Sequence, residues 1–147
     1  MHLINFHRKL YSFIIKKKEW KLPKKAKILI YDESGSDIIS RNLSGYTTGL
    51  FPIHESINIP ILLLSCIYRE NYELQFIDYV NPKILITFID NNSCFYKIKN
   101  KRPKLTTIFI QNGIRSNHMF SSMDIKEKDN FVDYMLCFAD SISNKYK

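Results

Sequence analysis

Apolar residues in this chain gather into short runs, and two of those runs end in polar clusters. Lys83-Ile-Leu-Ile-Thr-Phe-Ile leads into Asp90, Asn91 and Asn92, and Thr106-Thr-Ile-Phe-Ile leads into Gln111, Asn112, Gly113 and Arg115. Both runs are rich in Ile, Phe and Thr and lack strict apolar-polar alternation, which predicts parallel strands with helices covering both sheet faces. Residues 26 to 31 predict an earlier strand. It runs through an acidic turn, with Ser34 or Ser36 as cap, into a helix over 38 to 43. Residues 47 to 51 predict a short second strand, and residues 59 to 68 a buried helix with Pro60 in its first turn. A further helix over 73 to 80 stops before Asn81-Pro82. A short helix near 93 to 99, a polar stretch from 111 to about 130 and a last strand over 132 to 138 complete the order. Alternating strands and helices predict an α/β domain over residues 26 to 147, with a Rossmann-like parallel sheet and flanking helices.

In such sheets ligands bind just beyond the carboxyl ends of the strands. Asp-Asn and Asn-Gly are also ordinary turn chemistry, but two clusters at equivalent topological positions favour a site. Carboxylates and amides together suit sugar hydroxyls, which need donors and acceptors, and Arg115 suits a phosphate or carboxylate on a ligand. Asp90, or Glu55 beside His54, is placed to act as general base on an acceptor hydroxyl. His54-Glu55 has a plainer reading as a loop pair capping the helix near Pro60. Phe95 and Tyr96 read as core aromatics before sugar-stacking ones.

Other chemistries fit less well. The loop Glu33-Ser-Gly-Ser offers a helix N-terminus, but Asp32, Glu33 and Asp37 would repel a phosphate there, and neither dinucleotide nor P-loop spacing is present. A phosphoacceptor signalling domain would use Asp32, Glu33 and Asp90, yet Gln111 and Ala139-Asp140 stand where that scheme needs a small hydroxyl and a lysine. No serine sits in a nucleophile elbow. The histidines lack metal-ligand spacing, so no metal is expected. Cys66, Cys94 and Cys137 are widely spaced and set in apolar surroundings; they read as small core residues in a reducing cytoplasm.

Charge changes the picture at one end only. The net charge is +8. Residues 1 to 27 hold nine Lys/Arg against one acid, Glu19, while residues 28 to 147 hold thirteen of each. The balanced remainder has no basic stripe of the kind that tracks nucleic acid. Leu3, Phe6, Leu10, Phe13 and Ile14, followed by the run from Lys16 to Lys25, predict a basic amphipathic helix over residues 1 to 25. It either packs on the domain or binds an anionic membrane surface with Trp20 as anchor. Charge interrupts its apolar residues, so neither a membrane span nor a signal peptide is expected.

Several blocks together resemble a bacterial family of glycosyltransferase-like surface carbohydrate (surface polysaccharide) biosynthesis proteins. They are Tyr31-Asp-Glu-Ser-Gly-Ser-Asp-Ile-Ile39, Glu55-Ser-Ile-Asn-Ile-Pro-Ile-Leu63, the two runs with their clusters and Phe95-Tyr96, and Val132-Asp-Tyr-Met135. The resemblance covers nearly all of the chain after residue 26. It implies the N-terminal, acceptor-side half of a two-domain GT-B transferase, whose C-terminal half holds the nucleotide sugar. On that basis the chain is expected to bind a carbohydrate acceptor, to need a separately encoded C-terminal half for the nucleotide-sugar donor, and not to catalyse alone. No cofactor is expected. Where the family pattern has a basic residue and a glycine before the glutamate, this chain has Ile53-His54. A non-catalytic sugar- or nucleotide-binding module and a truncated remnant are the alternative readings.

Overall fold

In the computed structural model of the chain, which describes residues 14–88, 93–111, 113 and 132–138, the apolar runs lie side by side as parallel strands. The elements in chain order are β1 (Lys17–Glu19), β2 (Ile28–Tyr31), α1 (Ser36–Asn42), β3 (Thr48–Phe51), β4 (Ser56–Asn58), α2 (Ile59–Tyr68), α3 (Tyr72–Val80), β5 (Ile84–Thr87), α4 (Ser93–Lys101), β6 (Thr106–Ile110) and β7 (Tyr134–Leu136). The five-stranded sheet has the order β3-β2-β5-β6-β7, every neighbour parallel. The fold is α/β and compatible with a Rossmann-like arrangement. Strand order reverses direction between β2 and β5, the place where doubly wound sheets open a crevice.

Side chains of successive strand residues point to opposite faces, and the register keeps like with like. Leu29, Tyr31, Phe51, Leu85 and Phe109 share one face and pack with Ile61, Leu74, Phe76, Ile77, Val80, Phe95 and Ile98 from α2, α3 and α4. Fully burying each such side chain contributes about 1.5–3 kcal/mol. Aromatic geometry knits this face together: the Phe51 and Phe76 rings stack at 4.2 Å, and Tyr31 meets Phe51 and Phe95 edge-on at 5.4 Å each. The buried Tyr31 hydroxyl donates to Glu73 at 2.9 Å, which satisfies the one polar atom on that ring. Ile28, Ile30 and Ile86 face the other way and pack with Ile39 of α1.

Local chemistry sets the helix ends. The Asn58 side chain accepts from Ile61 N at 3.1 Å and opens α2, with Pro60 in its first turn. Asn71 caps α3 through Glu73 N at 2.8 Å and Leu74 N at 3.4 Å, and Asn81 ends it in a left-handed conformation, φ 56°, just before Pro82.

Three expectations are corrected. The basic helix expected over residues 1 to 25 does not extend through the lysine run: Lys17–Glu19 is a strand paired in parallel with Ser56–Asn58. Residues 1–13 lie outside the described residues. Neither Ser34 nor Ser36 caps α1; Gly35 holds that position with φ 71° and no side-chain bond. The cysteines are not core residues, because Cys66 and Cys94 are exposed and Cys137 half-buried; none of the three is in a disulfide, and burial pushes the Cys137 thiol up. Helices lie on both sheet faces, as expected, with α2, α3 and α4 on one and α1 on the other. β2 is buried on both, but β6 alternates between half-buried and buried positions, with Ile108 and Ile110 only partly covered. Phe95 and Tyr96 are buried, as their plainer reading has it.

Candidate functional site at the strand ends

The ends of β2 and β3 bring a carboxyl group and an imidazole together. Asp32 follows β2 directly, and its N–H donates to Phe51 O at 2.9 Å, which ties it to the end of β3. Its backbone φ is 91°, a conformation a non-glycine side chain adopts only under constraint. Oδ1 accepts from Ser34 N at 3.1 Å, closing a local turn. Oδ2 is fully buried and receives no aligned hydrogen bond. The group facing it is His54 Nε2 at 3.2 Å, close enough to pair but not oriented for a hydrogen bond as the ring stands.

His54 sits in the turn after β3, where Ser56 N donates to Pro52 O at 3.1 Å. The two partners differ sharply in exposure: the His54 side chain is 60% accessible and the Asp32 side chain 1%. A buried carboxyl oxygen without a donor is costly, so native folds keep few such atoms. One edge of the imidazole addresses Asp32, while the ring as a whole remains open to solvent. A rotation of the exposed ring would turn this proximity into the hydrogen bond by which a carboxylate orients a histidine for proton exchange.

The neighbouring strand ends depend on a glycine. A Cβ placed on Gly35 would lie 2.8 Å from the Phe88 ring, so the loop after β2 rests directly on the residue after β5. The positive φ at Gly35 imposes the same residue choice. Thr87 Oγ1 donates to Tyr31 O at 3.0 Å and locks the ends of β5 and β2 together.

The expected site residues fall into three groups. His54 lies beside Asp32 at the strand ends. Glu55 is exposed, and its backbone carbonyl accepts from Lys17 N at 3.1 Å, so the same turn is pinned to β1. Gln111 is buried at the end of β6, separated from His54 by three strand spacings, about 14 Å. Its amide donates to Gly113 O at 2.7 Å and accepts from Phe138 N at 3.2 Å, bracing the chain where β6 and β7 end. Asp90, Asn91, Asn92, Asn112 and Arg115 lie outside the described residues. Asp32 was missed as a site residue because its acidic neighbours read as a reason against phosphate. Only the strand order, which places the end of β2 beside the end of β3, gives Asp32 a histidine.

Charged groups at the opposite end of the sheet are paired. Burial alone would raise the Asp133 carboxyl, but the Lys99 ammonium at 2.9 Å and the N–H and hydroxyl of Thr107 at 2.7 and 3.0 Å hold it below the usual carboxylate range. Arg102 makes two bonds to Asp78, at 2.7 and 2.5 Å, and a third to Glu70 at 3.2 Å. Its own ionisation moves upward, chiefly through Asp78. No group of three or more His, Cys, Asp or Glu suited to a metal ion occurs among the described residues. Comparison with protein-family models, with curated proteins and with solved structures finds no match, and the strand-end pair therefore stands on its own chemistry.

Proposed function

We propose that this chain is the acceptor-side domain of a glycosyltransferase-like protein of cell-surface polysaccharide assembly, with its sugar site at the carboxyl ends of β2, β3 and β5. The observation that carries the reading is the buried, donor-less Oδ2 of Asp32 facing His54 Nε2 at 3.2 Å. Its location beside the switch point of a parallel sheet agrees with a ligand crevice. A sugar offers hydroxyls that both donate and accept, so it can complete such a pair where an anion cannot.

In this reading Asp32 holds the His54 tautomer that carries its proton on Nε2, which leaves Nδ1 to take the proton of an acceptor hydroxyl. The freed oxygen attacks the anomeric carbon of a nucleotide sugar, the bond from that carbon to the nucleotide phosphate breaks, and the nucleotide leaves with the electron pair. The donor is held by a GT-B-type C-terminal half. His54 thereby takes the base role that the sequence gave to Glu55 or Asp90.

Imidazole resonances of His54 followed during titration with methyl glycosides, nucleotide sugars and free nucleotides test this. Shifts with glycosides that disappear in Asp32→Asn are expected, with little response to nucleotides. Micromolar nucleotide binding at His54 would favour a nucleotide-binding module instead, and silence toward every sugar would end the acceptor reading.

A further inference from the structure

We infer that residues 14 to 25 form a docking surface for an anionic lipid bilayer, built onto the loop that carries His54. Residues 14 to 25 hold six lysines and a single acid, Glu19. Among them stand apolar side chains turned to water: Ile14 at 62% exposure, Ile15 at 63%, Trp20 at 72% and Leu22 at 48%. A segment that merely packed its apolar residues on the domain would bury them.

Trp20 is held outward by backbone connections on both sides. Before it, Lys17, Lys18 and Glu19 are registered against Ser56, Ile57 and Asn58. After it, Asn58 Nδ2 donates to Lys21 O at 2.7 Å. The backbone at Trp20 is thus anchored to β4, and its ring stands in water.

The chemistry selects the partner. Nucleic acid would take the positive charge and leave Ile14, Ile15 and Leu22 in water, whereas an apolar protein groove would take the apolar side chains and offer the excess positive charge no anionic counterpart. An anionic bilayer accepts both, with ammonium groups at the headgroups and Trp20 and Leu22 at the acyl boundary. Residues 28 to 147 carry equal numbers of Lys/Arg and Asp/Glu, so the excess positive charge lies in residues 1 to 27, most of it in this segment. No helix among the described residues is long and apolar enough to cross a membrane, and the contact is therefore a surface one.

The patch is fastened to the site loop: Lys16 Nζ donates to Ile53 O at 2.5 Å and Lys17 N to Glu55 O at 3.1 Å, on either side of His54. A docked bilayer would thus lie beside the strand-end crevice, and an acceptor carried on a lipid would approach His54 from the membrane. That last consequence rests on the function proposed above; the docking itself does not.

Trp20 is the only tryptophan, so its fluorescence reports the contact directly. The full chain is mixed with vesicles of phosphatidylcholine, with and without about one-third phosphatidylglycerol, and sedimented at low and high salt. The expected result is a blue shift and co-sedimentation with the anionic vesicles only, weakening with salt. The double variant Lys21→Gln/Lys24→Gln should weaken partitioning about fivefold per lysine. Trp20→Ala with Leu22→Ala should weaken it about tenfold, with an unchanged melting temperature showing that the fold survives. Equal binding to neutral vesicles, co-sedimentation without a Trp20 shift, or tighter binding to a homopolymeric RNA than to the anionic vesicles would overturn the proposal. Loss of docking with sugar shifts at His54 intact would leave the proposed function standing, and the converse would leave docking standing.

Discussion

The two ends of the parallel sheet handle charge in opposite ways. At the amino end, Asp133 is matched by Lys99 and Thr107, and Arg102 by Asp78 and Glu70. At the carboxyl end, Asp32 is buried with one oxygen lacking a donor, its backbone and that of Gly35 both at positive φ. Satisfied charge networks hold elements together, whereas unsatisfied groups and strained backbone collect where ligands bind. Side chains at the amino end should therefore matter chiefly to stability, and those at the carboxyl end chiefly to ligand.

The largest effect is expected where backbone, not charge, shapes the crevice. Gly35→Ala meets both a positive φ and a 2.8 Å approach to Phe88, and should lose about 3 kcal/mol in urea unfolding. A near-neutral result would mean that the β2 and β5 loops are not packed as described.

Asp133→Asn breaks the amino-end pair and should cost about 2 kcal/mol at neutral pH. The sign of its pH dependence follows from the lowered native carboxyl. The contribution is fully present above the unfolded carboxyl value, about 3.9, and is lost as pH falls through the lower folded value. The gap between variant and parent should therefore close only in strong acid. A gap that stayed constant down to that range would show that the carboxylate's pairing is not its source.

His54→Ala and Trp20→Ala should be the mildest, within about 0.5 kcal/mol of the parent, because both side chains are largely solvated. His54→Ala should nevertheless abolish the sugar response. A large stability loss in either would move that residue from the ligand-facing class to the structural one.

The regular elements were legible because their signals are local. The runs at 84–87 and 106–110, the helix over 59–68 with Pro60, and the stop before Pro82 each follow from a few neighbouring residues. The β1–β4 pair was not legible: nothing in a lysine-rich tripeptide favours a strand, and only the long-range register with Ser56–Asn58 makes one. The exposed cysteines escaped for a related reason, since apolar neighbours in sequence do not say which side of a helix faces water. Of the site, His54 was visible as a loop residue of uncertain purpose. Asp32 was visible only as a carboxyl in a turn, because its meeting with His54 depends on strand order.

The contrast between the two ends comes down to the sign of one number. Urea unfolding of Asp32→Asn beside the parent chain measures it directly. The substitution keeps the shape and the oxygen that accepts from Ser34 N but removes the buried carboxyl. If Asp32 is held for a ligand, the variant should be as stable as the parent or more stable by about 1 kcal/mol. If instead it unfolds about 2 kcal/mol more easily, as expected for Asp133→Asn, then Asp32 is a structural group like those at the amino end and the account of the site is wrong.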